Sequence, residues 1–381
     1  MLKLSRGDYM VYLDYSATTP VDDEVLESFV KVCKNYPGNP NSLHKLGVDA
    51  NHLLQASTEQ IKKLLNIDDY DIIYTSGASE SNNLALKGIC DKYSNRGKHI
   101  ITTTLEHSSI NEPLEYLKTK GFEVSYAKLD SNGKVDLDEL KKIIRDDTIL
   151  VSINAVNSEL GIRQPIEEIG KLLSTYPKCY FHVDMTQAIG KIDIDLSNVD
   201  LFSFSSHKFY GIKGVGALIK KSKIIIEPII HGGKSTTIYR SGTPALPLIV
   251  STAKALRLVL ENNNYEYVKS LNDDLRNFFN NYELVSVNSN TYCIPHILNI
   301  SIIGTKPETF LHALEQYEIY VSTKSACSTS NISSAVYDIT KDKYKALSSL
   351  RISLSYLTSM EDIKYFKEAF DKCYNELTKL R

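Results

Sequence analysis

Two strand ends in this chain carry side chains of complementary chemistry. Ser205-Ser206-His207-Lys208 closes the apolar run Val199-Asp200-Leu201-Phe202-Ser203-Phe204, and His182-Val183-Asp184-Met185-Thr186-Gln187 closes another upstream. A lysine whose amine is desolvated in a cleft loses basicity and becomes a nucleophile able to form a Schiff base. An aspartate on a neighbouring strand end can keep a pyridine nitrogen protonated. Together they suggest pyridoxal 5'-phosphate (PLP), the cofactor that serves as an electron sink for carbanions. Gly211, Gly214 and Gly216 follow the lysine, where backbone must pass closely. Gln187, just beyond Asp184, can hydrogen-bond the ring's phenolate oxygen.

Four further features fit the same chemistry. His107 reads as the end of the strand that begins near His99, where an imidazole can stack on a pyridine and shuttle protons. Thr75-Ser76-Gly77-Ala78-Ser79-Glu80 joins a strand to a helix, and its small residues let backbone N–H groups wrap a phosphate at the positive helix end. Cys327 lies in the small polar run Ser325-Ala326-Cys327-Ser328-Thr329-Ser330, a setting in which a thiol can reach a substrate, with Lys324 nearby to favour the thiolate. Arg351 opens a strand and can clamp a carboxylate with its two-pronged fork. Each residue also has a plainer reading. Lysine is commonly a solvated charge, aspartate a helix cap, histidine a satisfied core residue and arginine a surface ion pair.

The elements that must position these groups alternate in type. Strand candidates are Asp71–Thr75, His99–Thr103, Phe122–Tyr126, Ile149–Ile153, Tyr180–Asp184, Leu201–Phe204 and Gly216–Ile219. Between them, Ser109-Ile110-Asn111-Glu112 reads as a capping box with Pro113 in the first turn, Asp136 caps Leu137 to Ile144, and Ile166 to Tyr176 is amphipathic. This order predicts an α/β fold with a mainly parallel sheet covered on both faces. Ligands of such sheets bind outside the carboxyl ends of the strands, where Asp184, Gln187, His207 and Lys208 fall. After about residue 250 the texture becomes α+β. Ala253–Leu260, Tyr265–Phe279 and a terminal helix from Met360 to Leu380 surround strands at Ile297–Ser301 and Leu350–Ser355. The expected division is a large domain at 16–259 and a small one made of 1–15 and 260–381, with a polar loop at about 322–334.

The chain has 381 residues, 42% hydrophobic and 24% charged, with a formal net charge of −2, so no global basic field argues for nucleic acid. No apolar run approaches the ~18 residues of a membrane span, and Met1 to Met10 holds no apolar targeting core. The expectation is a cytoplasmic protein without membrane contact. Six scattered cysteines without a CxxC pair fit reduced thiols, and no metal site is expected.

Ordered motifs then carry a resemblance over nearly the whole length. Tyr12-Leu13-Asp14-Tyr15-Ser16-Ala17-Thr18-Thr19-Pro20, Gly38-Asn39-Pro40-Asn41-Ser42, Thr75-Ser76-Gly77-Ala78, Glu106-His107 and Asn157-Ser158-Glu159-Leu160-Gly161 come first. His182-Val183-Asp184, Ser205-Ser206-His207-Lys208, Arg240-Ser241-Gly242-Thr243 and Ser325-Ala326-Cys327-Ser328 follow. The chain resembles the cysteine desulfurases of the class V aminotransferase superfamily, in the branch with the longer active loop. The resemblance implies PLP-dependent aminotransferase fold type I, with a seven-stranded sheet in the large domain. It implies that Lys208 holds PLP as a Schiff base and moves protons, and that His107 stacks on the ring. Asp184 would pair the pyridine nitrogen and Gln187 the phenolate. Ala78, Ser79, Ser205 and His207 would bind phosphate, joined by Thr243 from a second subunit of a homodimer. Asn157, also a cofactor contact, and Arg351 would orient L-cysteine. Cys327 would take the sulfur as a persulfide, leaving L-alanine, and pass it to an acceptor protein such as an iron–sulfur scaffold or a tRNA thiolase.

The sequence departs from the family pattern at Gly232-Gly233-Lys234-Ser235-Thr236-Thr237, where three glycines and a Glu-Arg pair are usual. Ser158, Ser79 and Thr323-Lys324 also replace more frequent residues. These changes bear on acceptor preference and turnover. Two other readings stand beside desulfuration: a selenocysteine lyase or other β-lyase, and a non-catalytic PLP-fold scaffold for sulfur-transfer partners.

Overall fold

The structure is a computed structural model that describes residues 10–262, 264–323 and 332–379. Strand β1 (Val11–Tyr12) is short. The main sheet is built from β2 (Tyr70–Thr75), β3 (His99–Thr102), β4 (Glu123–Tyr126), β5 (Thr148–Asn154), β6 (Tyr180–Asp184), β7 (Leu201–Ser205) and β8 (Gly216–Lys221). Its seven strands run in the order β2-β8-β7-β6-β5-β3-β4. All are parallel except β8, which pairs antiparallel with both neighbours. Every residue of the central strands β5 and β7 is buried, as a sheet covered on both faces requires. One face packs against the helix Ala78–Tyr93 through Leu84, Ile89, Ile100 and Leu218. The other carries Val151, Phe181, Phe202 and Ile219 under Ile169 and Leu256. With β8 alone reversed, the carboxyl ends of the other strands open on one edge.

A second core forms around β9 (Val285–Val287), β10 (Ile297–Ile302) and β12 (Ser349–Ser353), an antiparallel sheet in the order β12-β10-β9. The helices Tyr265–Phe279 and Met360–Lys379 cover it with Phe279, Phe366 and Phe370. Complete burial of each such ring contributes roughly 1.5–3 kcal/mol. The chain's start joins this part, because β1 pairs in parallel with β11 (Ile319–Tyr320) and Asp14 bridges to Ser353.

Several local readings need correction. The strand from His99 stops at Thr102, and His107 is instead the N-cap of the helix Ser108–Thr119. Ser109, expected to cap that helix, therefore lies in its first turn. The cap moves because an imidazole nitrogen can accept the same orphan N–H that a hydroxyl would. Lys208 likewise stands three residues past the end of β7, in the 3₁₀ turn Ser206–Lys208, and Arg351 is the middle residue of β12 and does not open it.

Candidate active site

A cavity of about 420 Å³ lies at the carboxyl edge of the main sheet. Ala78, Ser79, His107, Asp184, Gln187, Ser205, His207, Lys208 and Arg351 all line it. The expected residues thus converge from four strand ends of one sheet and one strand of the other.

The N-terminal segment stitches these groups together. Lys208 Nζ donates to the carbonyl oxygens of Ser16 at 2.6 Å and Ala17 at 2.8 Å. Thr19 donates to the His207 carbonyl through its N–H at 2.9 Å and its hydroxyl at 3.0 Å. Arg351 is 2% exposed, and its Nη2 donates to Asp14 Oδ1 at 2.8 Å while Nη1 donates to the Ser158 carbonyl at 2.9 Å. Its plainer reading, a surface ion pair, is therefore excluded. The bridge between Asp14 and Ser353 places that carboxylate beside the fork. Arg351 Nε is buried and has no partner among the described residues.

Asp184 and His107 belong to one polar chain. The Asn82 amide donates to Asp184 Oδ2 and to Ser109 Oγ, each at 2.9 Å. Ser109 Oγ lies 2.9 Å from His107 Nδ1, and the Ser109 backbone N–H donates to the same nitrogen at 3.1 Å. Nδ1 is therefore an acceptor, which leaves the ring proton on Nε2. Burial pushes His107 below the ordinary histidine range, opposed by the charge of Asp184 and reinforced by that of Lys208. Burial also drives His207 down to about 4, with Lys208, Lys213 and Lys191 adding to it. Both rings are neutral near pH 7.

The phosphate-type cradle is set by close backbone packing. Gly77 caps the helix Ala78–Tyr93, and a Cβ on Gly216 would lie 2.7 Å from Gly77 Cα. The first turn of that helix, with its unpaired N–H groups, consequently sits directly beside Ser205 and the β7 edge. Thr186 Oγ1, buried and lining the cavity, has no partner among the described residues. An anion cradle, a carboxylate for a pyridine nitrogen and a lysine amine form a donor set that fits PLP.

Three expected residues stand elsewhere. Asn157 is buried but does not line the cavity. Its Oδ1 accepts from the N–H groups of Glu159 and Leu160 and closes the local turn, while its Nδ2 donates to the carbonyl of Leu105, a residue that lines the cavity. Asn154, at the end of β5, lines the cavity instead. Thr243 is exposed and lies outside the cavity. Cys327 lies outside the described residues. On either side of it in the chain, Ser322 pairs its backbone with Arg351, which lines the cavity, and Ser333 Oγ donates to Glu159 Oε2 at 2.6 Å.

Sequence reasoning missed Asn82, Ser109, Asp14 and Glu106. Glu106 hides directly behind the site, with Oε1 accepting from Thr103 Oγ1 at 2.7 Å and from Asn154 N at 3.0 Å. Its Oε2 has no partner among the described residues, and burial pushes its carboxyl up to about 8. The available signal was the pairing of Glu106 with His107 in one motif.

Comparison with known proteins agrees with this geometry. The aminotransferase class V family model matches residues 11–366. A cysteine desulfurase IscS of Glaesserella parasuis is 40% identical, the match covering 97% of this chain and 94% of that protein. A NifS-like protein of known structure superposes with a TM-score of 0.90 at 35% identity, covering 97% of this chain and all of the other. The structure described as SspA in complex with cysteine gives 0.79 at 32% identity, covering 91% and 99%. These relatives favour desulfuration over the lyase and scaffold readings. The chain belongs to the class V aminotransferase family and, within it, to the cysteine desulfurases.

Proposed function

We propose that this enzyme uses PLP to take sulfur from L-cysteine, releases L-alanine, and carries the sulfur as a persulfide on Cys327 for an acceptor protein. The observation that carries the reading is the meeting of Lys208, Asp184, His107 and Arg351 around one cavity. When bound, PLP supplies the electron sink that makes the substrate's C–S bond labile.

The protein's own groups do the rest. Lys208 tethers the cofactor and moves protons. The Asp184 carboxylate, fixed by Asn82 and by the Thr186 N–H at 2.9 Å, holds the pyridine nitrogen. His107, with its proton on Nε2, would stack on the ring. Ala78, Ser79, Ser205 and His207 take the phosphate, and Arg351, oriented by Asp14, takes the substrate carboxylate. Asn157 acts through the turn it closes. The Cys327 thiolate bonds to the substrate sulfur as the C–S bond breaks, the electron pair stays on carbon, and protonation there yields alanine. The backbone pairing of Ser322 with Arg351, a residue of the cavity wall, supports Cys327 in that role.

A homodimer fits the exposed apolar residues Leu43 (97% exposed) and Ile238 (64%), whose segments Asn41 joins by donating to Ser235 Oγ at 2.9 Å. Thr243, exposed in the same region, would reach the partner's phosphate. The second core supports a division into 16–259 and the combined 1–15 and 260–381, with Ile294 and Ile297 of the latter packing into the first core. An iron–sulfur scaffold or a tRNA thiolase is the acceptor, and the enzyme works in the cytoplasm. Among the described residues no helix is long and apolar enough to cross a membrane. Purified protein tests the reading: it should take up PLP and absorb in the visible, and Lys208→Ala should lose the covalently held cofactor. Protein that takes up no PLP refutes it.

A further inference from the structure

Lys191 has no part in the chemistry above, yet it borders the site from behind. Gly190, with φ of 72° and packed against Val259, turns the chain tightly after Gln187. The Lys191 N–H donates to Ala188 O at 2.9 Å. The four-residue spacing then sets Lys191 beside Gln187, as on a helical turn. Lys191 Nζ donates to Gln187 Oε1 at 2.7 Å. At the other end of the amide, Nε2 donates to Ser16 O at 2.9 Å, the same oxygen that accepts from Lys208 Nζ.

A side-chain amide can present either its oxygen or its nitrogen, and only its partners decide which. An ammonium has donors alone, so it can face only the oxygen. The amide nitrogen of Gln187 carries two N–H groups. Ser16 takes one, and the other is left on the side of the cavity that Gln187 lines. We propose that Lys191 is a positioning residue that locks the Gln187 amide with its N–H group toward the cleft, so that the site offers a donor to an anionic ring oxygen. The inference rests on the PLP reading, because the oxygen concerned is the phenolate of that cofactor. If the amide turned over, its carbonyl oxygen would face the phenolate and disfavour it.

The energetics agree. Burial pushes the Lys191 ammonium down to about 7, with the charges of Lys208 and Arg351 adding to the effect. Below that value Lys191 is charged, and Gln187 Oε1 at 2.7 Å is the acceptor its ammonium finds.

The test uses PLP-loaded wild-type protein and the variants Lys191→Met, Lys191→Arg, Gln187→Glu and the double variant Lys191→Met/Gln187→Glu. The readout is the absorbance of the bound cofactor, whose phenolate and neutral-phenol forms absorb in separate bands. Lys191→Met should raise the ratio of phenol to phenolate on the order of tenfold, the effect of losing one charge-assisted hydrogen bond. Gln187→Glu, which presents only acceptors, should shift it the same way, and the double variant should go no further than Gln187→Glu alone. Lys191→Arg should keep the wild-type ratio. If Lys191→Met does not fold by circular dichroism, Lys191→Leu, which likewise has no donor, carries the same expectation. A wild-type spectrum for Lys191→Met beside a shifted one for Gln187→Glu overturns the role of Lys191 alone. Wild-type protein that binds no PLP overturns both readings.

Discussion

Replacing Glu106 by glutamine should change how stability depends on pH. Glu106 is buried, shares one oxygen with Thr103 and Asn154, and leaves the other unpaired among the described residues. Burial raises its carboxyl from 4.5 to about 8, with the charge of Asp184 adding and the hydrogen bonds opposing. Between these values the folded protein keeps a proton that the unfolded chain releases. The stabilisation is therefore complete below about 4.5 and is lost as pH rises through about 8. One proton corresponds to about 1.4 kcal/mol per pH unit, which accumulates to something on the order of 5 kcal/mol across the window. Urea unfolding of wild-type and Glu106→Gln protein at several pH values between 5 and 9 measures this. The wild type should lose stability relative to the variant as pH rises, levelling off above about 8. Any cost of the amide itself is constant with pH and drops out of the slope. Parallel stability curves would refute the picture of a buried neutral carboxyl behind the site.

Three other outcomes follow from the same contacts. Asp14→Asn should raise KM for L-cysteine on the order of tenfold with kcat little changed, and lower stability by about 3 kcal/mol, because it leaves the Arg351 charge buried without its partner; unaltered steady-state kinetics would remove Asp14 from the site. Gly216→Ala should cost roughly 1–3 kcal/mol and weaken PLP uptake in equilibrium dialysis, since the added methyl must displace Gly77 and the phosphate cradle with it. Acidification should destabilise the protein between about 6.5 and 3, because burial holds His182 and His207 down to about 4 and His296 to about 3. These rings stay neutral when folded and charge when unfolded, so stability present above the unfolded value is lost as pH falls; His296→Phe should flatten that loss in thermal unfolding scans.

Much of this site could be read from sequence because its groups sit at strand ends. Asp184 and Lys208 follow apolar runs that mark central strands, and parallel sheets bring such ends to one edge. Arg351 was legible only as a cation in a strand: it is the middle residue of β12, in the antiparallel sheet, and not at a strand end. Other features depend on contacts between residues far apart in the chain. Nothing in the spacing of Asp14 and Arg351 reveals that a single bridge at Ser353 sets carboxylate against guanidinium. The amide of Asn82 looks like any helix polar residue until Asp184 and Ser109 are seen on either side of it. His107 was misplaced because an imidazole cap has no distinctive signature in sequence, whereas serine two residues later has one. Asn157 was assigned by resemblance, and its side chain joins its own turn to Leu105, 52 residues away in sequence.

The most direct test of the account adds L-cysteine and a reductant to purified PLP-loaded protein and follows alanine and sulfide together, for wild type and for Cys327→Ala. The account predicts equal amounts of both products from the wild type and nearly none from the variant, with its cofactor spectrum intact. Undiminished sulfide and alanine from Cys327→Ala would contradict it.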